Sequence, residues 1–423
     1  MSPREILRAS FAAAVAAADP LAIVPANLPS PPRGRTVVVG AGKAAGAMAH
    51  AVEAHWPPHA PLGGLVITRY GHGMESVRIR VVEAGHPVPD EQGEAAAREI
   101  LSLASSLGEE DLLLVLVSGG GSALLSLPAE DIAMEDLQSV TRALLACGAP
   151  IQEMNTVRKH LSLIQGGRLA AATRAQVLAL VISDVTGDDP THIASGPTVP
   201  DPTTFADARQ ILRHYGVRPP PAVARRLDEG AAGRWQETPK PGHSAFARVE
   251  NRVIATAHAS LAAAAAFFQG RGIAPMIVGD SVTGESREVA KVFAALAREI
   301  RHHAHPFRPP VAIISGGETT VTVRGGGRGG RCTEFLLSLA VELAGELDVW
   351  ALAADTDGID GSEDNAGATL PPDALARAAA SGVDARRMLA ENDGYGFFSA
   401  LDELVVTGPT RTNVNDYRVI LVR

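Results

Sequence analysis

Thr36-Val37-Val38-Val39-Gly40-Ala41-Gly42-Lys43-Ala44-Ala45-Gly46 is a β-branched run that breaks into glycines and reopens in alanine. Apolar residues without alternation read as a strand covered on both faces. The glycines permit a tight turn, and the alanines start a helix. A strand, a glycine turn and a helix form the opening unit of a parallel α/β sheet. The alternation continues outward from it. Residues 64–68, 78–82, 111–117 and 177–183 read as further buried strands, and 44–54, 91–107 and 136–147 as the helices between them. Beyond a stretch at 218–246 broken by Pro219, Pro220, Pro221, Gly230, Gly233, Pro239, Pro241 and Gly242, the pattern resumes. Strands are expected at 252–256, 274–278, 310–315, 319–324, 347–354 and 417–422, with helices at 260–269 and 286–300. The expected fold class is α/β, two domains facing each other across a cleft, with 218–246 as a linker or a surface excursion between them.

Composition bounds the function. The chain has 423 residues, enough for two or three domains; 46% are hydrophobic and 20% charged, an ordinary globular balance. Its net charge of −9 argues against a nucleic-acid partner, which calls for a basic face. Two cysteines, Cys147 and Cys332, make no disulfide framework and no paired metal spacing, which suits a reduced cytoplasmic protein. No apolar run approaches the ~18 residues of a membrane span. Residues 11–18 follow Arg4 and Arg8 as a signal peptide would, but Glu5 and Asp19 bracket them, and an amphipathic first helix is the better reading. His302, His303 and His305 have no Cys or acidic companion in sequence and read as a solvated loop.

Candidate chemistry gathers at strand ends. Gly40, Gly42 and Ala45 satisfy a dinucleotide fingerprint, yet the next strand ends in Thr68-Arg69 without the acid that holds a ribose. Lys43 inside the turn suits a phosphoryl or carboxylate anion, the alternative being an exposed first-turn lysine. Ser118-Gly119-Gly120-Gly121-Ser122 after an apolar strand reads as an oxyanion cradle and is not a Walker loop. Ser315-Gly316-Gly317-Glu318 repeats the theme, and the glycine-rich run 325–331 carries Arg328 and Arg331, guanidinium groups suited to phosphoryl oxygens. Asp184 and Asp357 follow apolar strands, in oxygen-rich segments that suit Mg²⁺ carried by a nucleotide. Asn155 reads as the cap of a helix whose first turn holds Arg158, Lys159 and His160, basic residues wanting an anion. Asn413 lies in a polar turn before the last strand, either a hydroxyl ligand or an ordinary Asx turn.

GAGKAAGAMA (40–49), GHPVPD (85–90), SGGGSALL (118–125), MNTVRKHLS (154–162), SDVTGDDPTHIASGPT (183–198), SGGETTVTV (315–323), GGRCTE (329–334), DTDGIDG (355–361) and TGPTRTNVND (407–416) occur in one order. Together they make the chain resemble the glycerate 2-kinase family, whose C-terminal part is the MOFRL domain. The resemblance implies a Rossmann-like domain over 1–240 and a smaller MOFRL-containing α/β domain over 241–423, with the active site between them. It implies ATP-dependent phosphorylation of D-glycerate at the 2-hydroxyl, with ATP and Mg²⁺ as cofactors. Family residues map onto Lys43, Asp184, Glu318, Arg331, Asp357 and Asn413. On this view Lys43, Arg331 and Asp184 are catalytic. Ser118, Gly119, Gly120, Gly121, Ser122, Asn155, Arg158, Glu318 and Asn413 bind substrate or phosphate, and Asp357, Asp184 and Glu318 are the metal candidates. The partners are glycerate and a nucleotide, with no nucleic acid or membrane, and a homodimer is compatible. Cys332-Thr333 and Arg411 depart from the family's usual Asn-Gln and glycine. Two other readings compete: an NAD(P)H-dependent hydroxypyruvate reductase, a label the family has carried, with nicotinamide bound at 40–45, and a non-catalytic sensor of nucleotide or sugar acid.

Overall fold

The computed structural model describes residues 1–423, which divide into two compact units: Pro20–Ile254, and Met1–Asp19 together with Ala255–Arg423. This corrects the expected division at 240/241. The 218–246 stretch is no linker: Pro221–Ala231 folds as a helix whose Val223 and Leu227 join the apolar cluster around Phe205 and Leu212. The prolines at 219–221 start that helix, since proline is tolerated in a first turn.

In Pro20–Ile254 the strands are β1 (Thr36–Ala41), β2 (Leu62–Arg69), β3 (Ile79–Ala84), β4 (Leu112–Val117), β5 (Gln176–Ile182) and β6 (Val249–Ala255), in the order β3-β2-β1-β4-β5-β6. The ladders from β3 through β5 are parallel. β6, expected to open the second block, extends this sheet instead. Leu112, Leu113, Leu114, Val115, Leu116 and Val117 are all buried, which explains the uninterrupted apolar run. The strand order reverses between β1 and β4, and open α/β sheets bind ligands at such a point, beyond the carboxyl ends of the strands.

The other unit holds β7 (Ala274–Gly279), β8 (Val311–Ser315), β9 (Val349–Asp355), β10 (Gly367–Leu370), β11 (Leu404–Val405) and β12 (Asp416–Val422), ordered β11-β10-β9-β12-β8-β7. Only β7 and β8 are parallel; β12 runs antiparallel between β8 and β9. Helices Ser286–His303 and Arg331–Leu343 cover one face, with Phe293, Phe335 and Phe397 in that core. Helix Pro3–Ala16 and helix Ala257–Gln269 cover the other, through Leu7, Phe11, Leu261 and Phe268. The first helix is the expected amphipathic one, started by a Ser2/Glu5 capping box. No single helix is long and apolar enough to cross a membrane. The segment 319–324, expected as a strand, contributes only one isolated bridge, between Thr320 and Glu285.

Candidate active site

The loops after β1 and β4 interlock. Gly42 packs where an added Cβ would collide with Ser118 Oγ, so a bulkier residue there would separate the two loops. Lys43 N donates to Gly119 O at 2.8 Å, Ala44 N to Ser118 Oγ at 3.0 Å and Ala45 N to Gly42 O at 3.0 Å. The amides of Lys43, Ala44 and Ala45, at the start of helix Ala45–His55, are therefore spent within the chain. This corrects the expectation that Lys43 and those amides share one anion.

Gly120 stands at φ +80°, a left-handed position that favours glycine. A Cβ on it would lie 3.0 Å from His86 Nε2 and 3.4 Å from Lys43 Cγ. Lys43, His86 and the glycine turn thus form one group. His86 was quoted in GHPVPD without a role, and only the fold brings it to Lys43. Ser122 Oγ accepts a 2.9 Å bond from Ser195 Oγ, and Gly121 is pressed against Ala194. Asp184 follows β5, half-buried, on the same sheet edge.

Asn155 is not a helix cap. The helix runs Ile151–His160, and Arg158, Lys159 and His160 occupy its last turn, where the dipole favours cations. The missing signal was Pro150, which precedes the helix and moves its start upstream. Lys159 pairs with buried Asp201 at 3.4 Å; burial pushes the Lys159 ammonium down, against the pull of Asp201. His160 sits 3.3 Å from Glu237 Oε2, inside the fold. Arg158 is 9% exposed, and its guanidinium is pushed down to about 10 by burial.

In the other unit Arg331 opens helix Arg331–Leu343 and all three of its nitrogens are engaged. Nε donates to Asp416 Oδ1 at 2.7 Å, Nη1 to Glu318 Oε1 at 2.7 Å and Nη2 to Asp355 Oδ2 at 2.8 Å. Burial opposes the charge, yet Asp416, Asp355 and Glu318 hold the guanidinium protonated, well above its ordinary range. Fully buried Arg418 donates to the second oxygen of Asp416, to Gly316 O at 3.0 Å and to Thr319 Oγ1 at 3.1 Å. Asp360, 0% exposed, caps the same helix, accepting from Cys332 N and Thr333 N at 2.9 Å each and from Thr333 Oγ1 at 2.7 Å. Thr333 therefore adapts the departure from Asn-Gln, and Arg411, at φ +62°, occupies a left-handed position that favours glycine. Sequence reasoning missed Asp355, Asp416 and Arg418, although Asp355 opens one quoted motif and Asp416 closes another. Arg418 reads as an ordinary strand residue until β12 is placed centrally.

No group of three His, Cys, Asp or Glu is arranged to hold a metal ion. Glu318 Oε1 accepts from Arg331, and Asp357 Oδ1 accepts from Ile359 N at 2.9 Å in a turn. Asn413 Oδ1 likewise closes a turn, accepting from Asn415 N at 3.3 Å.

Residues 6–228 match a domain of unknown function, DUF4147, and residues 311–416 match the MOFRL family. A glycerate 2-kinase of Pyrococcus horikoshii is 40% identical over 393 residues, covering 92% of this chain and 88% of the relative. A glycerate kinase structure from Thermotoga maritima superposes with a TM-score of 0.88 at 37% identity, covering 100% of both chains. This chain belongs to the glycerate 2-kinase family. Another relative, from Agrobacterium vitis and named "Putative hydroxypyruvate reductase", is 52% identical over 425 residues, covering 100% of this chain and 95% of the relative. As a glycerate 2-kinase family member the chain keeps a lysine in its first glycine turn and closes the Ala44 amide of that turn on Ser118, where a nicotinamide dinucleotide would want an open donor.

Proposed function

We propose that this protein phosphorylates D-glycerate at its 2-hydroxyl with ATP, giving 2-phosphoglycerate and ADP. The observation that supports the reading is the closed turn at 40–45: Lys43 packs beside Gly120 and His86, and the amides of Lys43, Ala44 and Ala45 are already bonded within the chain. In the reaction the 2-hydroxyl oxygen bonds to the γ-phosphorus as the bond to the ADP oxygen breaks. The hydroxyl proton passes to the Asp184 carboxylate on our assignment. Lys43 and the glycine turn oppose charge on the phosphoryl oxygens. Arg331 is assigned to bind a phosphoryl oxygen in the place of Glu318, which is exposed and the least costly of its three partners to release. Magnesium is the nucleotide's own ion, screening phosphate charge and typically needing only one or two protein carboxylates; Asp184 would supply one. We place the activity in the cytoplasm, where ATP and two free thiols are at home.

The test is a coupled assay with Mg-ATP and D-glycerate, the product's regiochemistry read by NMR. Lys43→Ala is expected to lower kcat by ~10²–10³-fold, the scale for removing one transition-state donor. Oxidation of NADH or NADPH with hydroxypyruvate, without ATP turnover, would replace the kinase with the reductase.

A further inference from the structure

Arg158 stands out on helix Ile151–His160 as a buried charge without a counter-charge. Its neighbour Lys159 has Asp201, and His160 has Glu237. The Arg158 guanidinium has no carboxylate partner; its hydrogen bond goes from Nη1 to Asn155 Oδ1, at 3.4 Å. An arginine 9% exposed and without a counter-charge is expensive, and burial alone pushes its proton affinity down to about 10. A buried guanidinium of this kind is retained where an anion arrives to complete it.

Its surroundings say which anion. Asn155, itself 0% exposed, donates from Nδ2 to His192 O at 3.1 Å. Three residues on, Ser195 Oγ bonds Ser122 Oγ at 2.9 Å, and Ala194 lies against Gly121. The glycine turn that we assign to the phosphoryl group, with Lys43 beside Gly120, is thus tied to Arg158 through one short segment, 192–195. Nearby His192 is held below its ordinary range, by burial and by Lys159, so it adds no competing positive charge at neutral pH. Two cationic side chains are thus linked to the turn from different elements: Lys43 beside Gly120, and Arg158 through Asn155 and the segment 192–195. A phosphoryl group needs the first. A small acid whose reacting hydroxyl neighbours its carboxylate uses both.

We propose that Arg158 binds the carboxylate of the hydroxy-acid substrate and, by fixing that end, presents the adjacent C2 hydroxyl rather than the terminal one. The inference rests on the kinase reading for the identity of the other end. It predicts a bidentate guanidinium–carboxylate pair, which lysine cannot reproduce.

The experiment compares D-glycerate with its neutral amide, glyceramide, in the wild type, Arg158→Gln and Arg158→Lys, each by steady-state kinetics and calorimetric titration. Arg158→Gln is expected to lose ~10²-fold or more in kcat/KM and in affinity for D-glycerate, as expected when one member of a buried charge pair is truncated. Its KM for ATP and its handling of glyceramide should stay within a few-fold of wild type, and Arg158→Lys should recover only part of the loss. The wild-type enzyme given glyceramide should also lose its preference for the 2-hydroxyl, a result that needs no variant to fold. Equal losses for D-glycerate and glyceramide, or D-glycerate affinity unchanged in Arg158→Gln, would overturn the assignment. Should the wild type fail to turn over D-glycerate, the kinase reading falls. The titrations would still decide whether Arg158 distinguishes the acid from the amide.

Discussion

Arg331 and its three carboxylates show how differently neighbouring charges behave. Glu318 is mostly exposed, and an exposed pair contributes ~0–1 kcal/mol. Asp416 is buried between Arg331 and Arg418, and removing one partner of a buried pair costs ~3–5 kcal/mol. Asp416→Ala should therefore lower unfolding stability by that amount in denaturant titration, whereas Glu318→Gln should leave the midpoint within error. A reversed order would remove Glu318 as the replaceable partner. At this scale the sequence was half legible. Lys43, Asp184 and Arg331 stand in glycine-rich or strand-end contexts whose chemistry can be read locally. Asp355, Asp416 and Arg418 acquire meaning only because β12 lies between β8 and β9, a pairing of residues tens of positions apart that no local pattern encodes.

Among the elements, the helix Arg331–Leu343 is held at its start by Asp360 from a separate loop. Asp360→Ala should cost ~1–2 kcal/mol, the scale of a lost cap, and should lower kcat because Arg331 is that helix's first residue. An unchanged melting temperature would show that the cap is dispensable. Arg411 offers the opposite case. A side chain in the left-handed region costs ~1–2 kcal/mol, and glycine's freedom in the unfolded chain returns ~0.4–1 kcal/mol of the gain. Arg411→Gly should therefore raise stability by up to ~1 kcal/mol; a loss would assign the arginine a contact that outweighs its strain. Strands such as β1, β4 and β5 were legible because burial on both faces leaves an apolar run. The 319–324 segment misled because alternating threonine and valine suit a strand, yet it makes only the single bridge at Thr320. Asn155 misled because asparagine is a common cap, while the chain starts that helix after Pro150.

For the whole molecule, acid separates the two units. In Pro20–Ile254, Glu237 is held down to about 2: burial opposes this, but hydrogen bonds from His160 and the Phe205 amide and the charge of Lys240 prevail. A depressed carboxylate stabilises the fold above its unfolded value of 4.5, and that contribution disappears as pH falls toward about 2. Asp201 shifts in the same direction: burial opposes, and Lys159 and Thr203 outweigh it. In the other unit, burial raises Asp360 and Glu334, so their contribution is greatest when protonated and shrinks as pH rises. Between pH 4.5 and 2 the unit Pro20–Ile254 should therefore unfold first. Fluorescence of a variant retaining only Trp235, which stacks on Arg226 in that unit, should change before that of one retaining only Trp350. Simultaneous changes would contradict the opposed titrations.

The helix Pro3–Ala16 packs with β12 through Phe11 and Tyr417, whose hydroxyl bonds Ser10 Oγ at 2.8 Å, and Arg4 pairs with Glu403. On the ribosome the helix is made before residues 20–254, but its partners come after them. At ~5–20 residues per second, the stretch from 20 to 254 takes roughly 10–50 s to emerge, and domains generally fold as units as they leave. The inserted unit is thus free to fold alone, while an amphipathic segment with Leu7 and Phe11 uncovered awaits its sheet. Nascent-chain quality control would meet this protein at that exposed segment, and a chaperone that shields short apolar helices would act there before any catalytic residue has found its place.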